Sequence, residues 1–214
     1  MTKLKQFKET ITDDVRIVAV SKTRTIEEIA AMYNEGQLDF GENRVQELLM
    51  KAELLRDTCP DINWHLIGTL QRNKVNQVCG LVSCIQSVNS IKLLEQIDRA
   101  AKRLDIRQDV LLQINYSGET SKHGFTPEDA IDALKTMDQW QNIRVRGLMT
   151  MARFGLSTKE KLSFFNAFHD YYTELKDQYG FDTLSMGMSG DYKEAIQSGS
   201  TMVRIGTALF GPRS

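Results

Sequence analysis

The chain alternates short apolar runs with longer stretches whose apolar residues recur every three or four positions. Val15-Arg16-Ile17-Val18-Ala19-Val20 is β-branched and mostly apolar, which predicts a strand. Thr25 and Glu28 are spaced as a capping box, and Ile26, Ile29, Ala30 and Tyr33 continue with helical period until Gly36. A brief strand over 38–41 follows, then a helix over 43–55 with Val45, Leu48, Leu49, Ala52 and Leu55 on its apolar face. The same order repeats: a strand at 64–68, a short helix at 73–78, a strand at 81–88 and a helix at 91–104. In the strand at 109–115, Val110, Leu111, Leu112 and Ile114 do not alternate cleanly, as expected of a strand buried on both faces. Pro127 opens a helix at its first position, where a missing N–H costs nothing. The strand at 143–149 precedes a long helix with Thr158 and Lys161 at its start. Leu162, Phe165, Phe168 or His169, Tyr172, Leu175 and Tyr179 make its stripe. Strands at 182–186 and 202–206 close the series, and residues 1–11 predict a leading helix through Leu4, Phe7 and Ile11.

Strands separated by helices pair mostly in parallel, because each helix must return the chain over the sheet. About eight such units predict an α/β fold, a closed (β/α)8 TIM barrel; the rival is an open doubly wound sheet. The barrel is favoured because candidate ligand residues follow the first, second, third, seventh and eighth strands. Only closure brings the first and last strands to one mouth. Three prolines, no linker and no low-complexity run predict one domain over 1–214.

Composition narrows the partners. Lys plus Arg total 27 against 28 for Asp plus Glu, a net charge of -1, which gives no electrostatic reason to expect nucleic acid or an anionic membrane. No apolar run approaches a membrane span, and residues 1–12 are too charged for a secretory signal. Cys59, Cys79 and Cys84 form no CxxC, so a reduced, cytoplasmic protein with buried thiols is expected.

Candidate chemistry concentrates near the C-terminus. Leu184-Ser185-Met186-Gly187-Met188-Ser189-Gly190-Asp191, followed by Val203-Arg204-Ile205-Gly206-Thr207, reads as two strand ends in small residues. Small residues let backbone N–H groups approach an anion, which suggests a compact phosphate cup. Lys22 lies just beyond the first strand, where partial burial would make its amine a carbonyl nucleophile; the bland alternatives are a solvated lysine or a salt bridge to Glu42. Asn43 can cap a helix or orient a ligand oxygen. His65, inside an apolar strand, suits either a neutral core role or a place beside a planar ring. Arg204, if inward, needs an acceptor such as a ring nitrogen, a carboxylate or Asp191. His123 and His169 look less special. No zinc spacing, dinucleotide fingerprint, P-loop or GxSxG elbow occurs.

Several motifs in fixed order resemble one family, the pyridoxal 5'-phosphate (PLP) homeostasis proteins, also called YggS/PROSC. They are Val20-Ser21-Lys22-Thr23, Phe40-Gly41-Glu42-Asn43-Arg44-Val45-Gln46-Glu47, Trp64-His65-Leu66-Ile67-Gly68 and Leu70-Gln71-Arg72-Asn73-Lys74. Gln113-Ile114-Asn115, Glu119-Thr120-Ser121-Lys122-His123-Gly124, Gly147-Leu148-Met149 and the two terminal blocks complete the set, so the likeness spans residues 16–211. The resemblance implies a barrel like the N-terminal domain of alanine racemase. It implies PLP held as a Schiff base on Lys22, with Ser189, Gly206 and Thr207 on the phosphate and Arg204 facing the pyridine nitrogen. Asn43 and His65 would line the cofactor region, and Lys122 would take part in PLP handling.

A charged arginine on the ring nitrogen weakens the ring as an electron sink. The sequence ends at Ser214, leaving no length for the second domain that a racemase of this fold requires. Both points favour a monomeric carrier or regulator in vitamin B6 homeostasis, without robust catalysis, delivering PLP to PLP-dependent apo-enzymes. The alternatives are a small PLP-dependent enzyme, such as a residual racemase or lyase, and a cofactor-free Schiff-base barrel acting on sugar phosphates.

Overall fold

The computed structural model describes residues 3–12, 14–119 and 123–212. Eight strands, β1 (Arg16–Val20), β2 (Asp39–Glu42), β3 (Asn63–Leu66), β4 (Cys84–Val88), β5 (Gln108–Gln113), β6 (Ile143–Met149), β7 (Thr183–Met188) and β8 (Met202–Ile205), form a closed barrel in sequence order. Every neighbouring pair is parallel, and closure is made by β1 on β8, with Val18 beside Arg204 and Ala19 beside Ile205. That pairing decides for the barrel over the open sheet.

Helices α1 (Lys3–Lys8), α2 (Ile26–Asn34), α3 (Val45–Leu55), α4 (Val75–Val78), α5 (Ile91–Arg103), α6 (Pro127–Lys135), α7 (Thr158–Tyr179), α8 (Tyr192–Gln197) and α9 (Thr207–Phe210) fill the crossovers and the ends. Local sequence explains several boundaries. Thr25 and Glu28 make the expected reciprocal cap on α2, and Pro127 is at the start of α6 behind the Thr126 cap. At α7 the cap differs from expectation. Ser157, with Glu160 as its reciprocal partner, starts the helix, because a hydroxyl accepts the N3 amide whereas Lys161 has nothing to accept with.

The core is the layer between barrel and helices. Phe165, Phe168, Tyr172 and Leu175 bury the α7 stripe; Leu162 and Tyr179 at its ends are half-buried, and His169 lies beside the stripe rather than in it. Removing this apolar layer from water supplies roughly 25 cal/mol per Å² and dominates the stability of such a fold. A second, smaller cluster of Cys84, Leu111 and Met149 is the separate apolar part of the interior. It leaves the rest of the interior to polar groups, described next.

Candidate functional site

The strand ends build one rim. Lys22, two residues beyond β1, is half-buried. Gly206, directly after β8, lies against the last residue of β1: a Cβ on Gly206 would be 3.6 Å from the Val20 Cβ. The loop that carries the amine and the end of the last strand are therefore on the same side of the barrel.

The cup forms at that side. Ser189 follows β7, and its Oγ accepts from the backbone N–H groups of Gly206 at 3.2 Å and Ala208 at 3.3 Å. These amides begin the last helical turn and have no acceptor within it, so they converge on one oxygen. Gly187 has φ +96°, and an added Cβ would lie 2.6 Å from the Ala195 Cβ, so only glycine lets β7 pass this close to α8. Asp191 Oδ1 accepts from the Met188 N–H at 2.6 Å, and Lys161 Nζ donates to the Gly190 carbonyl at 2.8 Å, holding the turn from both sides. Thr207 sits exposed on the edge of the cup.

Arg204 lies inside the barrel below the cup and is buried. Its Nη1 donates to Ser185 Oγ at 2.6 Å and its Nη2 to the Thr150 carbonyl at 2.8 Å. Among the described residues it makes no salt bridge, so the alternative of a pair with Asp191 is not what holds it. Burial pulls its pKa down to about 10, opposed by the charge of Asp191, so the guanidinium remains cationic at neutral pH. Burial also raises the Asp191 carboxyl, against the Met188 amide bond that lowers it.

A buried polar chain continues from Arg204. Ser185 Oγ donates to Gln86 Oε1 at 2.7 Å; Gln86 Nε2 lies 3.1 Å from His65 Nδ1; and His65 Nε2 lies 2.9 Å from Asp39 Oδ1. An amide nitrogen only donates, so Nδ1 must accept and the ring proton is on Nε2, facing Asp39. His65 is thus buried with both ring nitrogens in hydrogen bonds, the core role that its place in an apolar strand allows. Its ring is directed toward the strand starts, where it lines a cavity of about 170 Å³ with Arg16, Asp39, Cys84, Asp109 and Arg146. It reaches Arg204 only through Gln86 and Ser185. His65 is the third of four residues in β3 just as Arg204 is in β8, so strand position and periodicity do not show depth along the barrel.

Asn43 is at the rim, beyond β2. The helix after it begins at Val45 with Arg44 as its N-cap residue, so Asn43 does not cap it. Its Oδ1 is buried with no hydrogen-bond partner among the described residues. A Cβ on Gly68 would lie 2.2 Å from the Asn43 carbonyl oxygen, so the two loops touch only because position 68 is glycine. A buried acceptor left unpaired is costly, which marks a place prepared for a donor.

Sequence reasoning missed the group beside Lys22. Lys51 of α3, its side chain 2% exposed, donates from Nζ to Glu42 Oε1 at 2.8 Å and to Glu47 Oε1 at 2.6 Å. Lys51 is thus a cation bonded to Glu42. The missed signals were a lysine three residues after Leu48 and four before Leu55, on the buried face, and the Glu47–Lys51 spacing. Gln86 and Ser185 were also missed as Arg204-linked residues, a polar side chain inside an apolar strand being the available sign; Thr150, just after β6, contributes a backbone carbonyl that no side-chain pattern reveals. Lys122 lies outside the described residues, and His123 is exposed.

Comparison with known proteins agrees with this geometry. The model of the alanine racemase N-terminal domain matches residues 2–214. The pyridoxal phosphate homeostasis protein of Synechocystis sp. is 41% identical over 206 residues, covering 95% of this chain and 94% of that protein. The chain belongs to the pyridoxal phosphate homeostasis protein family. The structure of PipY from Synechococcus elongatus with PLP bound superposes with a TM-score of 0.90 at 36% identity, covering 98% of both chains. An alanine racemase from Clostridium difficile superposes with a TM-score of 0.80 at 16% identity over 97% of this chain and 55% of that one, a likeness of fold alone.

Proposed function

We propose that this protein binds pyridoxal 5'-phosphate and acts in PLP homeostasis as a carrier or regulator without robust catalysis. The observation that carries the reading is the shared rim: Lys22 after β1, the Ser189–Gly206–Ala208 cup after β7 and β8, and buried cationic Arg204 below them. Bound PLP supplies an aldehyde that a primary amine can capture and a pyridine ring whose protonated nitrogen would act as an electron sink.

The residues present fit that group. Lys22 would hold the aldehyde end, and Ser189, Gly206 and Thr207 the phosphate, with the cup amides already turned to one point. Asn43 brings an unpaired buried acceptor to the rim. Arg204 is fixed by two neutral acceptors, Ser185 and Thr150, and keeps its charge, so it would donate to the ring nitrogen without protonating it. A ring held unprotonated stabilises carbanions poorly, which favours holding the cofactor over amino-acid turnover. In this reading the protein is a cytoplasmic monomer and PLP-dependent apo-enzymes receive its cofactor.

Incubation with PLP followed by borohydride and peptide mapping tests the assignment. Wild type should carry the cofactor on Lys22 and Lys22→Ala should carry none at that peptide. Labelling at a different lysine refutes the assigned amine. Steady racemisation or cleavage of an amino acid, lost in Lys22→Ala, refutes the carrier reading and favours a small enzyme.

A further inference from the structure

Resting on the PLP reading above, we propose that Glu47 and Lys51 of α3 are positioning residues for Lys22, clamping the backbone on both sides of it. Lys51 Nζ donates to the Ser21 carbonyl at 2.7 Å, and the Thr23 N–H donates to Glu47 Oε1 at 2.6 Å. The same Glu47 oxygen accepts from Lys51, and Glu42 Oε1 accepts from both Lys51 and Ser21 Oγ, the latter at 2.6 Å. The residues before and after Lys22 therefore hang from one ionic cluster.

The turn needs such a clamp. The Arg24 N–H donates to the Ser21 carbonyl at 2.9 Å, which makes Ser21 to Arg24 a four-residue turn with Lys22 and Thr23 in the middle. Thr23 has φ +64°. A turn with positive φ at its third residue ordinarily calls for glycine or asparagine, and a β-branched residue there is strained. Strain of this kind persists only where the surroundings over-determine it, and it collects at functional sites. The far side of the turn is fixed as well. Arg24 Nη2 donates to the Gly211 carbonyl at 2.5 Å, and its guanidinium lies over the Phe210 ring at 5.4 Å. The loop bearing Lys22 is thus tied by α3 on one side and by the segment after the phosphate cup on the other. The clamp sets where the Lys22 Cα stands relative to the cup, so it bears on attachment of the aldehyde and not on grip of the phosphate.

The test separates those two quantities. In Glu47→Ala, total PLP retained should match wild type. The rate of borohydride-trappable attachment at Lys22 should fall by at least about tenfold, since displacing a reacting group by about 1 Å costs up to about a hundredfold. Glu47→Gln keeps an acceptor for the Thr23 N–H and should recover most of the rate. Adding Thr23→Gly to Glu47→Ala should also recover it, because glycine adopts the turn unaided. Hydrogen exchange at the Thr23 amide in ligand-free protein should rise in Glu47→Ala and not in Glu47→Gln. Unchanged attachment, equal loss of attachment and retention, or unchanged amide exchange would each overturn the clamp. A wild type that never carries PLP on Lys22 sinks the functional reading instead, and the amide-exchange comparison still reports on the clamp.

Discussion

Ser189→Ala separates the cup's role in the ligand-free fold from its role in holding a phosphate. Ser189 Oγ accepts two backbone N–H groups at 3.2 and 3.3 Å, the long end of the range for such bonds. The groups involved are exposed or half-buried, so water replaces the hydroxyl at small cost. The expected loss of stability is below about 1 kcal/mol. Affinity for PLP should suffer more. A hydroxyl bonded to a charged phosphate is worth about 1.5–3 kcal/mol, and the freed amides return part of that. The net loss should be on the order of 1–3 kcal/mol, or roughly 5–150-fold in Kd. Equilibrium dialysis with PLP measures it best in a Lys22→Ala background, where covalent attachment cannot mask weakened grip. Equal Kd with and without the Ser189 hydroxyl would place the phosphate elsewhere. A large fall in melting temperature with no change in Kd would make the serine a structural brace.

Three further outcomes are expected. Gln86→Leu strips a donor from His65 Nδ1 and an acceptor from the Ser185 hydroxyl in a buried chain. Two unmet polar groups at about 1–3 kcal/mol each, offset by apolar gain, predict a loss of about 2–4 kcal/mol by urea denaturation; a loss under about 0.5 kcal/mol would mean that the chain is not a structural unit. Burial raises the Glu42 carboxyl above its ordinary 4.5, outweighing the Lys51 and Ser21 hydrogen bonds that lower it. The folded state then keeps a proton that the unfolded chain releases. Glu42's contribution is fully present below the unfolded value and is lost as pH rises through the folded one. The stability of Glu42→Gln relative to wild type should therefore improve as pH rises from the ordinary carboxylate value through the raised folded one, by at most about 1.4 kcal/mol per pH unit; a difference that shrinks instead reverses the assignment. Burial also pushes the Cys84 thiol up, first among several causes, so maleimide should label it in urea and not in native protein at pH 8.

The sequence by itself determined the order of the strands, their approximate number and most of the rim, while the short helix α9 went unread. Apolar runs and helical stripes report which face of each element is buried, and burial is a local property of composition. For this reason the places of Lys22, Asn43, Ser189, Gly206 and Thr207 at strand ends are legible in the sequence alone. Closure was a different matter. Nothing local distinguishes β1 paired with β8 from β1 at the edge of an open sheet, since both need the same apolar strand. Depth inside the barrel was equally hidden: His65 and Arg204 are both inward polar residues on strands, yet one lines the cavity at the strand starts and the other lies beneath the cup. Periodicity gives the face and not the level. Lys51 shows the limit most clearly. A lysine in an apolar stripe reads as an interruption until folding brings Glu42, Glu47 and the Ser21 carbonyl around its ammonium. Partners from a strand, a helix and a loop meet only in three dimensions, and only their meeting makes burial of that charge affordable.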